Sequence, residues 1–579
     1  MEKRLLLVFA LTFVVIVLFQ PLLKKYLPQP PASPQTQGQN QPPQQTPAET
    51  AAKPPEVKNE KAPAAAASNK QGSIETTTIV ENNLYRITFT NRGAQVKSWI
   101  LKKFKDDRGQ PLELVNGAAS EKFGYPLSLW TYDEGRRNKL NSVLYVASGG
   151  PGTVKRIGEE WITAPGDLTF EYSDQDVTVR KTLHFDNTYV VQIESSVTSN
   201  GNQVPAYPSW PAGLGDQVNP VGYAASKLEY QTSSSIERLA FKKVIGGNTL
   251  HLPFNWIGVT DQYFAAIFLP KDPQNVAAVT LRNGLDVPKD PKNPQDTTKA
   301  DVLGAAVGNG NGPTEDRIFV GPKELKTLEG ISVPTITGAE PDLRGLVNFG
   351  FFGVIARPLF IWLRWTYGFV HNWGWAIVIQ TLIINLALLP LRISSMKSAL
   401  KMQRIQPQMN AIKEKYKKYT MRDPRRQEMN TEIGELMKRE GVSPVGGCLP
   451  MLIQMPFLFA YYAMLGSALD LRQAPWLWIK DLSAADPYLI LPILIIVTGL
   501  LTQRMTPQAG MDPSQQKMMN VMMPIMFGFI SYRLAAGLCL YWCEGSVIAI
   551  AQQMVMNRSS LGREMREMAL KRARKKEKK

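Results

Sequence analysis

Polar side chains are scarce inside the long apolar stretches of this chain, and the few present are the ones able to do chemistry. Gln380, Thr381 and Asn385 fall in the stretch Trp373–Leu391, and Gln454 falls in Leu449–Ser467. Glu544, beside Tyr541 and Trp542, sits in the middle of Leu538–Met556. Thr381 and Asn385 stand four residues apart and share one helical face. A charge at bilayer depth costs at least ~2.5–3.5 kcal/mol, so these groups must face protein or water rather than lipid. Two arrangements satisfy that: amides bonded to neighbouring helices around a protonated, packed Glu544, or a hydrated concavity between helices. Neither is a catalytic centre. Ser546 has no histidine companion, and His371 lies outside the stretch that follows it. Three histidines (His184, His251, His371) and three cysteines (Cys448, Cys539, Cys543) leave no metal site and no disulfide framework. Gly308-Asn309-Gly310-Asn311-Gly312 is not followed by Lys-Ser/Thr, so it reads as a turn and not a phosphate loop. No enzymatic activity, metal, cofactor or small-molecule substrate is expected.

The elements that hold these residues follow from hydropathy. The chain has 579 residues, more than one domain of ~100–200 residues needs. An apolar run from Leu5 to Leu23 follows Lys3-Arg4 and has no small-residue cleavage site after it, predicting a signal-anchor span over 1–27. Residues 28–72, rich in Pro, Gln and Ala, predict a solvated linker. Residues 73–340 predict a β-sandwich. There Val177, Val179, Leu183 and Phe185 alternate with Thr178, Arg180, Thr182 and His184; Asp186-Asn187 turns; Tyr189, Val191, Ile193 and Val197 alternate again. Short strands recur at Leu84–Thr90 and Asp261–Leu269. Over 341–371 an apolar stripe (Leu343, Leu346, Val347, Phe351, Val354, Phe360, Leu363), broken by arginines, predicts an amphipathic helix in the membrane interface. Residues 372–557 hold five apolar stretches: Trp373–Leu391, Leu449–Ser467, Tyr488–Leu501, Met518–Leu534 and Leu538–Met556. With the first run they make six spans. The 488–501 stretch is only ~21 Å long as a helix, which implies a locally thinned bilayer.

Charge sets the orientation. The segment 392–447 holds 13 Lys/Arg against 6 acids, and the tail 558–579 holds 10 against 3; together they supply 14 of the net +17. Positive charge stays cytoplasmic, so both segments and the N-terminus lie inside and the 73–340 domain outside. Within 392–445, Met402, Ile405, Met409, Ile412, Tyr416 and Tyr419 form a heptad seam. Asp423-Pro424 opens a second helix, Met429, Ile433 and Leu436 face the first, and Gly441 ends it. A helical hairpin, basic on its outer faces, is predicted. Lys413, Lys417, Arg425 and Arg426, with Lys575 and Lys576 in the tail, are the candidate cytoplasmic contacts for ribosomal RNA or anionic lipid headgroups.

Several motifs carry a family resemblance. Gly446-Gly447-Cys448-Leu449-Pro450-Met451-Leu452-Ile453-Gln454-Met455-Pro456, Leu471-Arg472-Gln473-Ala474-Pro475, Asp481-Leu482-Ser483, Asp486-Pro487-Tyr488 and Gly537-Leu538-Cys539-Leu540-Tyr541-Trp542 resemble the YidC family of membrane-protein insertases. Asn91-Arg92-Gly93, Gln262-Tyr263-Phe264-Ala265 and Val320-Gly321-Pro322 look like the large periplasmic domain of its Gram-negative members. The resemblance spans the chain apart from the linker and the extreme tail. It implies an α-helical polytopic protein of the bacterial inner membrane, with a five-helix insertase core and an all-β periplasmic super-sandwich. It also implies a hydrophilic groove, to which Thr381, Asn385 and Gln454 are assigned together with Glu544, an acid where relatives are usually apolar, and Arg392. It implies substrate contacts at Met451, Met455, Met526, Tyr541 and Trp542. The partners it implies are nascent membrane proteins, the Sec translocon, the ribosome and membrane lipids. One departure stands out: relatives usually carry an arginine five residues before the proline that is here Pro390, and that position is Asn385. Arg392, seven residues further on the same face, is expected to snorkel toward the groove and partly replace the missing charge. The rival reading of the buried polar residues is the solute pathway of a secondary transporter; a third is a structural assembly scaffold.

Overall fold

The computed structural model describes residues 69–567, apart from 107, 157–158, 218–219, 234, 291–292, 334–341, 420–422, 443–448, 506–517, 561–562 and 564–566. The expected signal-anchor span, nearly all of the linker, and Lys575 and Lys576 lie outside these residues, as do the side chains of Arg426 and Met451.

Strands between Thr77 and Pro322 form three sheets of six, ten and five strands among the described residues. In the six-stranded sheet Thr77–Glu81 lies between Tyr85–Thr90, antiparallel, and Glu159–Thr163, parallel. The predicted hairpin is in the ten-stranded sheet, Val177–Phe185 against Val190–Ser199, paired from Val177↔Ser199 to Phe185↔Val191. The two large sheets meet over one apolar core. Phe89 of one sheet lies 6.0 Å from Phe170 and 5.9 Å from Phe185 of the other. Short helices such as Gly117–Phe123 and Glu134–Ser142 decorate the sheets, so the domain is mostly β rather than all-β. The alternation of the hairpin holds, with two polar residues, Lys181 and its cross-strand partner Ser195, on the inner face. Lys181 takes an inward slot and is fully buried, its Nζ donating to the carbonyls of Ala94 (2.7 Å) and Leu127. His184, on the outer face, has Nδ1 2.7 Å from Asp167 Oδ1.

The interfacial helix begins later than the stripe predicts. Leu343 and Leu346 are buried in the β-domain core, and Arg238 Nη2 donates to the Gly345 carbonyl at 2.6 Å. Gly350 follows with φ +63°, a left-handed conformation that ends any continuous helix there. Helix α1 therefore runs from Gly353 to Val370. It turns Leu359, Phe360 and Leu363 inward and leaves Val354, Ile361, Trp365 and Phe369 exposed.

Helix α2, Trp373–Ala387, starts with the Asn372 side chain accepting from Trp375 N at 3.1 Å. Pro390 stands in the first turn of α3, Leu389–Lys415, where its missing N–H costs nothing, and the chain bends 47° there. Then come α4 (Arg425–Arg439), α5 (Leu449–Ser467), α6 (Ile490–Met505), α7 (Met523–Ser531) and α8 (Ala536–Arg558). Among the described residues α8 alone is long and apolar enough to cross a bilayer unaided; α2 with the first turns of α3 qualifies as a bent pair. A second apolar core joins α1, α2, α5, α6 and α8. The α3–α4 hairpin packs as the heptad spacing predicts: Ile405, Met409, Tyr416, Met429, Ile433 and Leu436 form one buried cluster. Asp423 accepts from Arg425 N at 3.0 Å, and Gly441 closes α4 with φ +61°. Helix α3 stops at Lys415, yet Tyr416 stays buried in the seam and Tyr419 packs against it from the turn.

Candidate functional site

The polar residues of the helical bundle gather where α2 meets α1, α5 and α8. Each is positioned by helix periodicity: Thr381 and Asn385 are one turn apart on α2, Glu544 and Gln552 two turns apart on α8. Gln380, Thr381 and Asn385 are at most 1% exposed, so in this conformation they are packed together and do not line an open cleft. A buried polar group needs a partner; Gln380 finds its partners on neighbouring helices, Thr381 and the Asn385 amide donor find theirs on the preceding turn of α2. Gln380 Nε2 donates to the Leu359 carbonyl of α1 at 3.0 Å, and its Oε1 accepts from the Tyr461 hydroxyl of α5. Thr381 Oγ1 donates to the Ile377 carbonyl at 2.7 Å and Asn385 Nδ2 to the Thr381 carbonyl at 2.8 Å.

Arg392 reaches back into this cluster. Its Nη1 donates to Gln552 Oε1 at 2.7 Å and its Nη2 to Asn385 Oδ1 at 3.4 Å. Gln552 Nε2 in turn donates to the Asn385 carbonyl at 3.3 Å. The guanidinium thus lies against the amide at 385, where the resemblance leads one to look for a cation. Gln552 is absent from the sequence-based candidates. It lies beside Gln553 near the polar end of α8, where glutamine is unremarkable; its spacing of eight from Glu544 was the available signal.

Gln454 of α5 donates to the Tyr541 hydroxyl at 2.7 Å, and Tyr541 stacks on Tyr461 with ring centroids 4.0 Å apart. Glu544 lies beside Thr381, and its Oε2 is buried with no hydrogen-bond partner. Of the expected substrate contacts, Met526 is exposed and Met455 half-buried. Tyr541 is only 2% exposed, closed in by its stack, and Trp542 packs edge-on against Phe527 at 4.9 Å. In this conformation Tyr541 is enclosed, whereas Trp542 is half-buried.

On the hairpin, Lys417 pairs with Glu414 at 3.2 Å. Arg425 pairs with Asp423 at 3.2 Å and lies 4.3 Å over the Tyr419 ring. Lys413 stands on the same last turns of α3. The outer row of α4 presents Glu428, Thr431 and Glu435, all exposed, so basic outer faces do not describe α4. Its positive charges sit at its ends and its acids in the middle, an order that counting charge over the whole loop hides. Among the described residues no group of His, Cys, Asp or Glu is arranged to hold a metal ion.

Residues 365–563 match the family described as 60Kd inner membrane protein, and residues 77–362 match the YidC periplasmic domain. The membrane protein insertase YidC of Geotalea uraniireducens is 32% identical, the alignment covering 96% of this chain and 99% of that protein. The insertase of the same name from Geobacter metallireducens is also 32% identical, with the same coverage of each chain. A crystal structure of an active YidC insertase, 18% identical, aligns over 86% of this chain and 95% of its own at a TM-score of 0.34, too loose a match to argue from. These relatives lend the solute-pathway reading no support. Sequence similarity over nearly the whole length of both proteins settles the matter: the chain belongs to the YidC family of membrane protein insertases, with a periplasmic domain built mostly of β-sheet.

Proposed function

We propose that this chain inserts newly made proteins into the bacterial inner membrane through the polar cluster between α2, α5 and α8. The observation that carries the reading is the Arg392–Asn385–Gln552 network, a cation held by neutral amides inside an apolar bundle. Dragging a hydrophilic segment across hydrocarbon strips each polar group of water at a cost of several kcal/mol. A niche of amides and hydroxyls offsets that cost by exchanging its internal hydrogen bonds for bonds to the passing chain, each exchange nearly neutral in free energy. The apolar helix of the substrate then leaves for lipid along α5 and α7, past Met455 and Met526, and its burial drives the process without nucleotide hydrolysis.

The proposed topology has six spans, with α2, α5, α6, α7 and α8 as the five-helix core, both termini cytoplasmic and the β domain periplasmic. One feature of the packing supports it. The 468–489 connection, which six spans place on the periplasmic side, touches the β domain: Gln473 Nε2 donates to the carbonyls of Lys105 and Asp106, both at 3.1 Å. The α3–α4 hairpin and the basic tail are the proposed receiving surface for ribosomes, lipid headgroups and substrates, and the Sec translocon is the proposed partner for larger substrates.

The test is complementation of a strain depleted of its own insertase. Asn385→Leu is expected to fail, and Arg392→Ala to support growth only partly, with insertion of a single-span protein into liposomes falling in the same order. Full complementation by Arg392→Ala would show that amide hydration suffices and that no replacement cation acts there.

A further inference from the structure

We propose that Glu544 makes the insertion niche selective for translocated segments bearing a basic group: a lysine or arginine side chain, or a free N-terminal ammonium. The inference rests on the niche being the route of the polar segment and adds its chemical preference. Its basis is which polar groups of the niche already have a partner within the protein. The amide groups of Gln380, Asn385, Gln454 and Gln552 each donate within the protein, as does the Thr381 hydroxyl. The one cation among the described residues of the niche, Arg392, is held by the amide oxygens of Gln552 and Asn385. Every one of these groups makes at least one bond; the buried polar atom of the niche that makes none, among the described residues, is an acceptor, Glu544 Oε2.

Arg392 does not supply that partner: its guanidinium is bonded to Gln552 and Asn385, and Glu544 Oε2 stays without a bond. The side chains placed beside the carboxylate, Thr381 and Tyr461, are neutral. A carboxyl oxygen in such a setting is poorly solvated when ionised, and the ionised form gains most from a charge-assisted bond. A cationic donor on the incoming chain makes that bond; a glutamate on the same chain meets a like charge. The selectivity of the niche thus runs toward positive segments, although a guanidinium is present within it.

The test uses the full-length protein in vesicles without a membrane potential, so that the charge of the tail is not itself driven. A single-span substrate is presented in three forms, identical except for lysines, glutamines or glutamates at the same positions of the translocated tail. Wild type is expected to insert the lysine form ahead of the glutamine form and the glutamate form last. In Glu544→Gln the lysine-to-glutamine ratio is expected to fall about tenfold, the effect of losing one charge-assisted hydrogen bond. Glu544→Asp, which keeps the charge on a shorter arm, should retain part of the preference and guards against a merely misfolded glutamine variant. An unchanged ratio in Glu544→Gln overturns the inference. If Asn385→Leu still impairs all three forms in that case, only the selectivity falls; if it impairs none, the niche is not the route.

Discussion

Lys181 holds an ammonium inside the β domain without a counter-ion because two backbone carbonyls, of Ala94 and Leu127, accept its protons. Burial holds this group down to about 7, against 10.5 for an exposed lysine. Between those values the unfolded chain binds the extra proton, so stability rises with pH there. Asp316 works in the opposite sense on the other side of neutrality. Its burial lifts the carboxyl to about 7 from 3.8, so over that window the folded state holds the extra proton and stability falls as pH rises. Lys181→Met is therefore expected to flatten the rise above pH ~7 and leave the fall below it in place, while Asp316→Asn does the reverse. Urea midpoints of the full-length protein in detergent, followed by tryptophan fluorescence across the two windows, check both. A rise that persists in Lys181→Met would remove this lysine as its source.

At the scale of elements, α2 depends on a glycine at its second residue. A Cβ on Gly374 would lie 2.1 Å from Trp476 Cδ1, so the helix can approach the 468–489 connection only without a side chain there. Trp476 cannot easily retreat, because its amide and carbonyl both pair with Ile479 at 2.8 Å. Gly374→Ala should therefore destabilise the bundle by ~1–3 kcal/mol, the usual range for overpacking. Trp476 Cβ itself lies 2.6 Å from that position, so only Trp476→Gly removes the clash; Gly374→Ala/Trp476→Gly should melt within a degree or so of Trp476→Gly alone, a non-additivity readable by thermal unfolding in detergent. That contact was invisible in the sequence, whereas α5 was legible to its last residue and the hairpin seam to its individual side chains. Periodicity reports which face of an element is covered. It does not report what covers it. Leu343 and Leu346 therefore read as part of a membrane stripe when the β domain encloses them. Lys181 escaped for a related reason: a lysine in an alternating strand is assigned outward by composition alone. In the niche Thr381, Asn385, Gln454 and Glu544 stood out because apolar surroundings make polar residues conspicuous. Gln552 and Tyr461 did not, since their role exists only once α8 and α5 are packed against α2.

At the scale of the whole molecule, the β domain and the helical bundle are fastened through the 468–489 connection and its neighbours. Leu469 is buried in the β-domain core, and Gln262 Nε2 donates to the Gly466 carbonyl at 2.8 Å. Arg472 lies 5.8 Å over the Tyr263 ring and 5.6 Å over the Phe264 ring. Arg364 of α1 stands between Glu324 at 3.8 Å and Asp470 at 3.9 Å, long contacts that contribute ~0–1 kcal/mol. None of the hydrogen bonds of the niche involves the β domain; their partners all lie between Leu359 and Gln552. Removing residues 73–335 should then have two separable consequences. The exposed seat of Leu469 and the loss of the Gln262 and Gln473 bonds should lower the melting temperature of the bundle in detergent. Insertion of a single-span substrate into liposomes at a temperature well below that transition should persist, because the route itself is intact. A scaffold held together by its outer domain predicts instead that insertion disappears with the deletion. A loss of insertion beyond about tenfold, ~1.4 kcal/mol of activation free energy, in a truncated protein that is still folded would place part of the route in the β domain.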